Sequence, residues 1–163
     1  MRQAIFAVIF GATVICTLPV KAAPCEPGVL FVDYNQTADC VDQDGECWES
    51  AFRYLQDAFA VAQENDVIRV SQGIFYPDES CADPNTDNRV DSFVLVQGVI
   101  IRGGYEGSAS LTPDEQNLDP SLTILSGDIQ QDDTPAGLLQ TERENNSYNV
   151  VGNRHGVRKK LQC

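Results

Sequence analysis

Four oxygen-bearing side chains at alternating positions, Asp83, Asn85, Asp87 and Asp91, are the residues of this chain best spaced for chemistry. Their order echoes positions 1, 3, 5 and 9 of an EF-hand loop, and hard oxygen donors so arranged suit Ca²⁺. The glycine such a loop needs at its sixth position is replaced by Asn88, and no glutamate closes the twelfth, so the full motif is not met. A solvated turn is favoured over the metal reading, because Asp and Asn also hydrogen-bond their own backbone in turns. Asp42 and Asp44, just ahead of Gly45, form a second and smaller acidic group. Ca²⁺ is the one cofactor these residues imply.

Covalent and acid–base catalysis find little support. The sole histidine, His155, lies in a basic C-terminal stretch, so a Ser/His/Asp or Cys/His arrangement lacks a base. No phosphate-binding loop, dinucleotide fingerprint or HExxH motif is present. No catalytic residue is therefore expected. Trp48, Tyr76 and Tyr105 have rings that stack on sugars, but such rings more often fill a core or a cap.

The cysteines carry a different signal. Cys25, Cys40, Cys47 and Cys81 are expected to pair in an oxidising compartment. Of the three connectivities, Cys40–Cys47 with Cys25–Cys81 is favoured, because the first bridge closes a short local loop. Their spacing lacks a C-x₂₋₄-C pair, which argues against zinc. Cys163 is left over.

The elements that must position these residues begin after an export signal. Met1 and Arg2 precede an uncharged stretch with an apolar centre at Ile5–Ile15, and Val20 and Ala22 suit a signal-peptidase site. Residues 1–22 are thus expected to be a signal peptide. The apolar stretch is shorter than a membrane span and Pro19 breaks it; no second hydrophobic run follows. Between Ala23 and Asn153 lie all 24 acidic residues against five arginines, Arg53, Arg69, Arg89, Arg102 and Arg143. Such a surface repels nucleic-acid phosphates and anionic lipid. Residues 23–151 are expected to form the main module, whereas 152–163 are basic and non-periodic, as expected of a truncation or a reading-frame change, with a short natural form as the alternative.

Within the module the apolar period is that of strands. Val29–Asp33, Val67–Val70, Ile74–Pro77, Phe93–Val96, Val99–Arg102, Leu122–Asp128 and Tyr148–Val151 are short β-rich runs separated by polar, Gly- and Asp-bearing loops. One helix is expected where Phe52, Leu55, Phe59 and Ala62 share a face, with Glu49-Ser50 as its cap and Asn65-Asp66 as its end. Strand centres at Ile68, Ile100, Ile124 and Val150 recur within the 20–50-residue range of solenoid repeats. These features predict a mainly β fold, the first few coils of a right-handed parallel β-helix with one N-terminal capping α-helix. An antiparallel sandwich is the rival, and its regular 8–12-residue spacing is not seen.

Several motifs then carry a family resemblance. Asp44–Ala58 resembles the "DGSSW-x-x-AF-x-x-LQDA" opening of secreted bacterial right-handed parallel β-helix proteins, the pectin-lyase-like and polymorphic-outer-membrane-protein-like surface proteins. Asp66–Pro77 is similar to their first coil, Gly98–Gly107 to "GV-x-L-x-GGF-x-G", Leu122–Ile129 to "TILSGDI" and Asn146–Val151 to "NSYHVV". The resemblance covers roughly residues 29–151 in order. It implies an exported, non-enzymatic module of a surface or adhesin-like protein, whose partners are extracellular polysaccharide or cell-surface components. The alternative it leaves open is the remnant of a polysaccharide lyase, in which Arg69 or Arg102 would be the candidate base.

Overall fold

Strands β1 (Val29–Val32), β2 (Val67–Ser71) and β5 (Ile100–Tyr105) lie parallel in that order in the first sheet. A computed structural model describes residues 25–133 and 144–153 of the chain. Two further sheets hold two parallel strands each: β3 (Gly73–Phe75) beside β6 (Thr123–Leu125), and β4 (Phe93–Leu95) beside β7 (Val151–Asn153). The chain therefore visits the sheets in rotation: β2, β3 and β4 enter the first, second and third sheets, and β5, β6 and β7 repeat the order. The expected mainly β content, short parallel strands and one α-helix are all present.

Register explains the packing. Leu30, Ile68 and Ile101 are Cα partners across β1, β2 and β5, and Val32 pairs with Val70. Side chains alternate across a strand, so these residues share one face while Phe31 and Arg69 share the other. Val32, Ile68, Val70, Phe75 and Phe93 converge as a core that is almost wholly sealed from solvent. On the opposite face of the first sheet, Phe31, Trp48, Ala51 and Tyr105 form a second apolar cluster. The ring of Trp48 stands 5.0 Å from Phe31 and 5.9 Å from Tyr105, so Trp48 and Tyr105 are buried rather than offered to a ligand.

The helix is shorter than its apolar face predicts. It spans only Leu55–Val61 (α1), and its buried residues Leu55, Ala58 and Phe59 pack it against β1 and β4. Glu49-Ser50 does not cap it: Tyr54 occupies the N-cap and supplies no side-chain bond. Phe52 instead forms a parallel bridge with Val32, exchanging backbone bonds with Phe31 and Asp33. A long-range strand contact thus overrides the local helical period.

A left-handed residue precedes each strand of the first sheet. Gly28, Asn65 and Gly98 have φ of 74°, 76° and 80°, just ahead of β1, β2 and β5. The three turns are linked, since Val67 N–H donates to Gly28 O at 2.9 Å and Asn65 N–H to Gly98 O at 3.2 Å. Positive φ is natural for glycine, and asparagine is among the few others that tolerate it.

Two disulfides tie down the N-terminal loops, one within them and one to the loop after β3. Cys25 pairs with Cys47 and Cys40 with Cys81, with Cα separations of 4.7 and 5.7 Å. The expected Cys40–Cys47 and Cys25–Cys81 pairing is not the one formed. The 3₁₀ turn at Cys40–Asp42 brings Cys40 beside the loop that follows β3, which leaves Cys47 to the chain entering β1. Disulfides of this kind are consistent with an oxidising, extracytoplasmic setting. No helix among the described residues is long and apolar enough to cross a membrane. The expected signal peptide and its expected cut after Ala22, together with His155 and Cys163, lie outside the described residues. Gly152 and Asn153, placed in the basic tail by composition, belong to β7.

Candidate metal centre

The acidic residues gather at one corner, where the loop after β3, the turn after β6 and the approach to β7 meet. Asp128, Asp132 and Asp133 are the one group of three Asp, Glu, His or Cys side chains among the described residues whose ligand atoms lie within 4.8 Å of one another. Their placement follows from a tight turn with Gln131 at φ 55°. The carboxylate of Asp128 accepts the backbone N–H groups of Asp132 and Asp133, each at 3.1 Å. From the next segment, Asn145 donates to Asp132 and Asn146 to Asp133, both at 2.9 Å. Asp132 and Asp133 are exposed, so these carboxylates are held by donors yet remain open to water.

The four residues singled out by spacing are distributed differently. Asp83, Asn85 and Asp87 are exposed along the loop, with Asp87 at φ 50°. Asn85 Oδ1 accepts the N–H of Asp87 at 3.1 Å, the Asx geometry of a solvated turn. Asp91, half-buried, accepts from Thr86 Oγ1 at 2.6 Å and from Asn88 Nδ2 at 3.1 Å. Asp83, Asp87 and Asp91 are not brought together as three carboxylates around one point.

Two neighbours that spacing did not single out have their carboxyls raised. Asp78 is 3% exposed, and burial raises its carboxyl above the usual range. Glu79 is pushed up to about 7, chiefly by burial and then by the negative charge of Asp78, with Arg53 pulling the other way. Tyr76 is raised by burial and by the charges of Asp128 and Glu79. Gln131 donates to Glu79 at 3.3 Å and so connects this group to the Asp128 turn. Beside Asp78 lies a cavity of 220 Å³ whose walls include Gln56, Glu79, Ser80, Thr86 and Asp91. The missed signal was the Pro77-Asp78-Glu79 step directly after a strand, where the chain leaves the core but has not yet reached solvent.

The two arginines considered as bases have separate fates. Arg69 and Arg102 are Cα partners on β2 and β5. Arg69 is clamped by Glu26 at 2.7 Å and Asp114 at 3.0 Å, with its guanidinium 5.6 and 5.7 Å from the rings of Phe31 and Tyr105. It serves as a structural cation for the outer cluster. Arg102 is exposed. No protein-family model, curated protein or solved structure matches the chain.

Proposed function

We propose that this chain is an exported, non-enzymatic module, the N-terminal cap and first coils of a right-handed parallel β-helix in a surface or adhesin-like protein. The observation that carries the reading is the rotation of parallel strands through three sheets, with Leu30, Ile68 and Ile101 in register on one face. Successive coils that stack like residues over like residues form a core extensible in one direction, which suits a long surface structure. Helix α1 covers the β1 end of that stack against β4, the place of a cap. Disulfides in the N-terminal loops support function outside the reducing cytoplasm. The resemblance of Asp44–Ala58 and of Gly98–Gly107 to secreted β-helix surface proteins points the same way. Extracellular polysaccharide and cell-surface components are the partners of this reading.

Cell fractionation combined with a polysaccharide panel tests it. The mature chain should begin at Ala23, appear outside the cytoplasm, and bind polysaccharide or cell-surface material without releasing unsaturated sugar. Unsaturated product from an acidic polysaccharide would replace the adhesin reading with the lyase one. Retention of the uncut chain in the cytoplasm would overturn both.

A further inference from the structure

We propose that the cleft beside Asp78 is a Ca²⁺ site built on Asp78 and Asp91, which shares Asp91 with the alternating set but not Asp83, Asn85 or Asp87. Both carboxylate oxygens of Asp78 are buried in a residue that is 3% exposed, and among the described residues only the backbone N–H groups of Asp78 and Asp87 approach them, neither in full hydrogen-bonding geometry. A carboxylate taken out of water is costly unless a cation or donors replace its hydration. Among the described residues no arginine is ion-paired with Asp78: both ion pairs belong to Arg69.

The walls of the adjoining 220 Å³ cavity offer oxygen. Asp78, Glu79 and Asp91 contribute carboxylates, and Ser80 and Thr86 contribute hydroxyls. Neither imidazole nor thiolate is among them. That donor set favours a hard cation, and Ca²⁺ tolerates the irregular, partly hydrated shell that the carboxylates of Asp78 and Asp91, the hydroxyls and water would make, with Glu79 on the rim. Mg²⁺ demands a stricter octahedron.

The frame of the cleft is held from outside it. Gln56 Nε2 donates to the carbonyl of Pro77 and, at 3.1 Å, to that of Ser92. Those carbonyls flank Asp78 and Asp91, so one helix side chain fixes the two ends of the loop relative to each other. The Cys40–Cys81 disulfide and the 2.9 Å bond from Cys81 N–H to Asp57 anchor the loop again three residues past Asp78. Holding ligands on a rigid frame reduces the ordering cost of binding.

Calorimetric titration of CaCl₂ into the EDTA-stripped, disulfide-bonded chain, with MgCl₂ and NaCl as controls, tests the site. The expected result is one Ca²⁺ per chain and a higher Tm with Ca²⁺ than with Mg²⁺ or NaCl. Asp78→Asn and Asp91→Asn should each weaken binding more than tenfold, whereas Asp83→Asn and Asp132→Asn should leave it unchanged. Asp78→Asn should melt in EDTA no lower than the parent, which separates loss of a ligand from loss of the fold; Asp91→Asn and Thr86→Val provide the same test from the rim. Absence of heat and of a melting shift at millimolar Ca²⁺ would overturn the proposal. So would a Ca²⁺ response that survives Asp78→Asn or disappears with Asp83→Asn or Asp132→Asn.

Discussion

Trp48 donates its indole N–H to Oδ1 of Asp114 at 2.9 Å, across 66 residues of chain. The same oxygen accepts from Arg69 at 3.0 Å, so one carboxylate ties the outer aromatic cluster to the middle strand of the first sheet. Asp114→Ala would leave a half-buried guanidinium with Glu26 as its only ion pair and an indole without its acceptor. The expected loss is about 2 kcal/mol, in the range for stranding donors. Urea unfolding followed by Trp48 fluorescence measures it, and a loss within error of zero would count against the tie.

Removing Cys40–Cys81 by a double Ser substitution should destabilise the chain by roughly 2–4 kcal/mol, because the bridge closes a long loop. Peptide mapping of the unreduced protein should recover Cys25 linked to Cys47 and Cys40 linked to Cys81. Recovery of a Cys40–Cys47 peptide would refute the connectivity.

Glu79 should make stability depend on pH in the absence of divalent cations. Its carboxyl is pushed up to about 7 in the folded chain from an ordinary 4.5. Between those values the folded state holds a proton that the unfolded chain releases, so stability rises as pH falls through that window. In EDTA the Tm should be higher at about pH 5 than at about pH 8, and Glu79→Gln should flatten the difference. An unchanged slope in the variant would remove Glu79 as its source.

Asn65 provides a backbone test. At φ 76° an alanine is strained, whereas glycine is not. Asn65→Ala should cost about 1 kcal/mol and Asn65→Gly much less. Thermal melts of the two variants check the ordering, and equal losses would show that the side chain, not φ, matters there.

What the sequence made legible follows from how local each cause is. Val67–Val70 and Phe93–Val96 were readable because β-branched and aromatic runs between Gly, Asn and Asp need no distant partner to be recognised as strands. The fate of Phe52 was not readable: its place beside Val32 depends on a bridge that no helical period encodes. The recurrence of Ile68, Ile100, Ile124 and Val150 was visible, but not that Ile124 pairs with Ile74 and Val151 with Phe93 in separate sheets. At the acidic corner, alternation singled out Asp83, Asn85, Asp87 and Asp91 and could not reveal burial at Asp78. The contacts around Asp78 are long-range, with Gln56 reaching Pro77 and Ser92 from the helix.

The linked turns at Gly28, Asn65 and Gly98 divide the chain into two kinds of position for changes in length. Between Asn65 and Val67 a one-residue deletion would turn Ile68 and Val70 outward and force Arg69 into the core, because alternation in a strand has a period of two. In the exposed stretch from Asp83 to Asn88 the same deletion alters no strand register. Insertions and losses in descendants of this sequence should therefore accumulate between strands and spare the two residues ahead of each one.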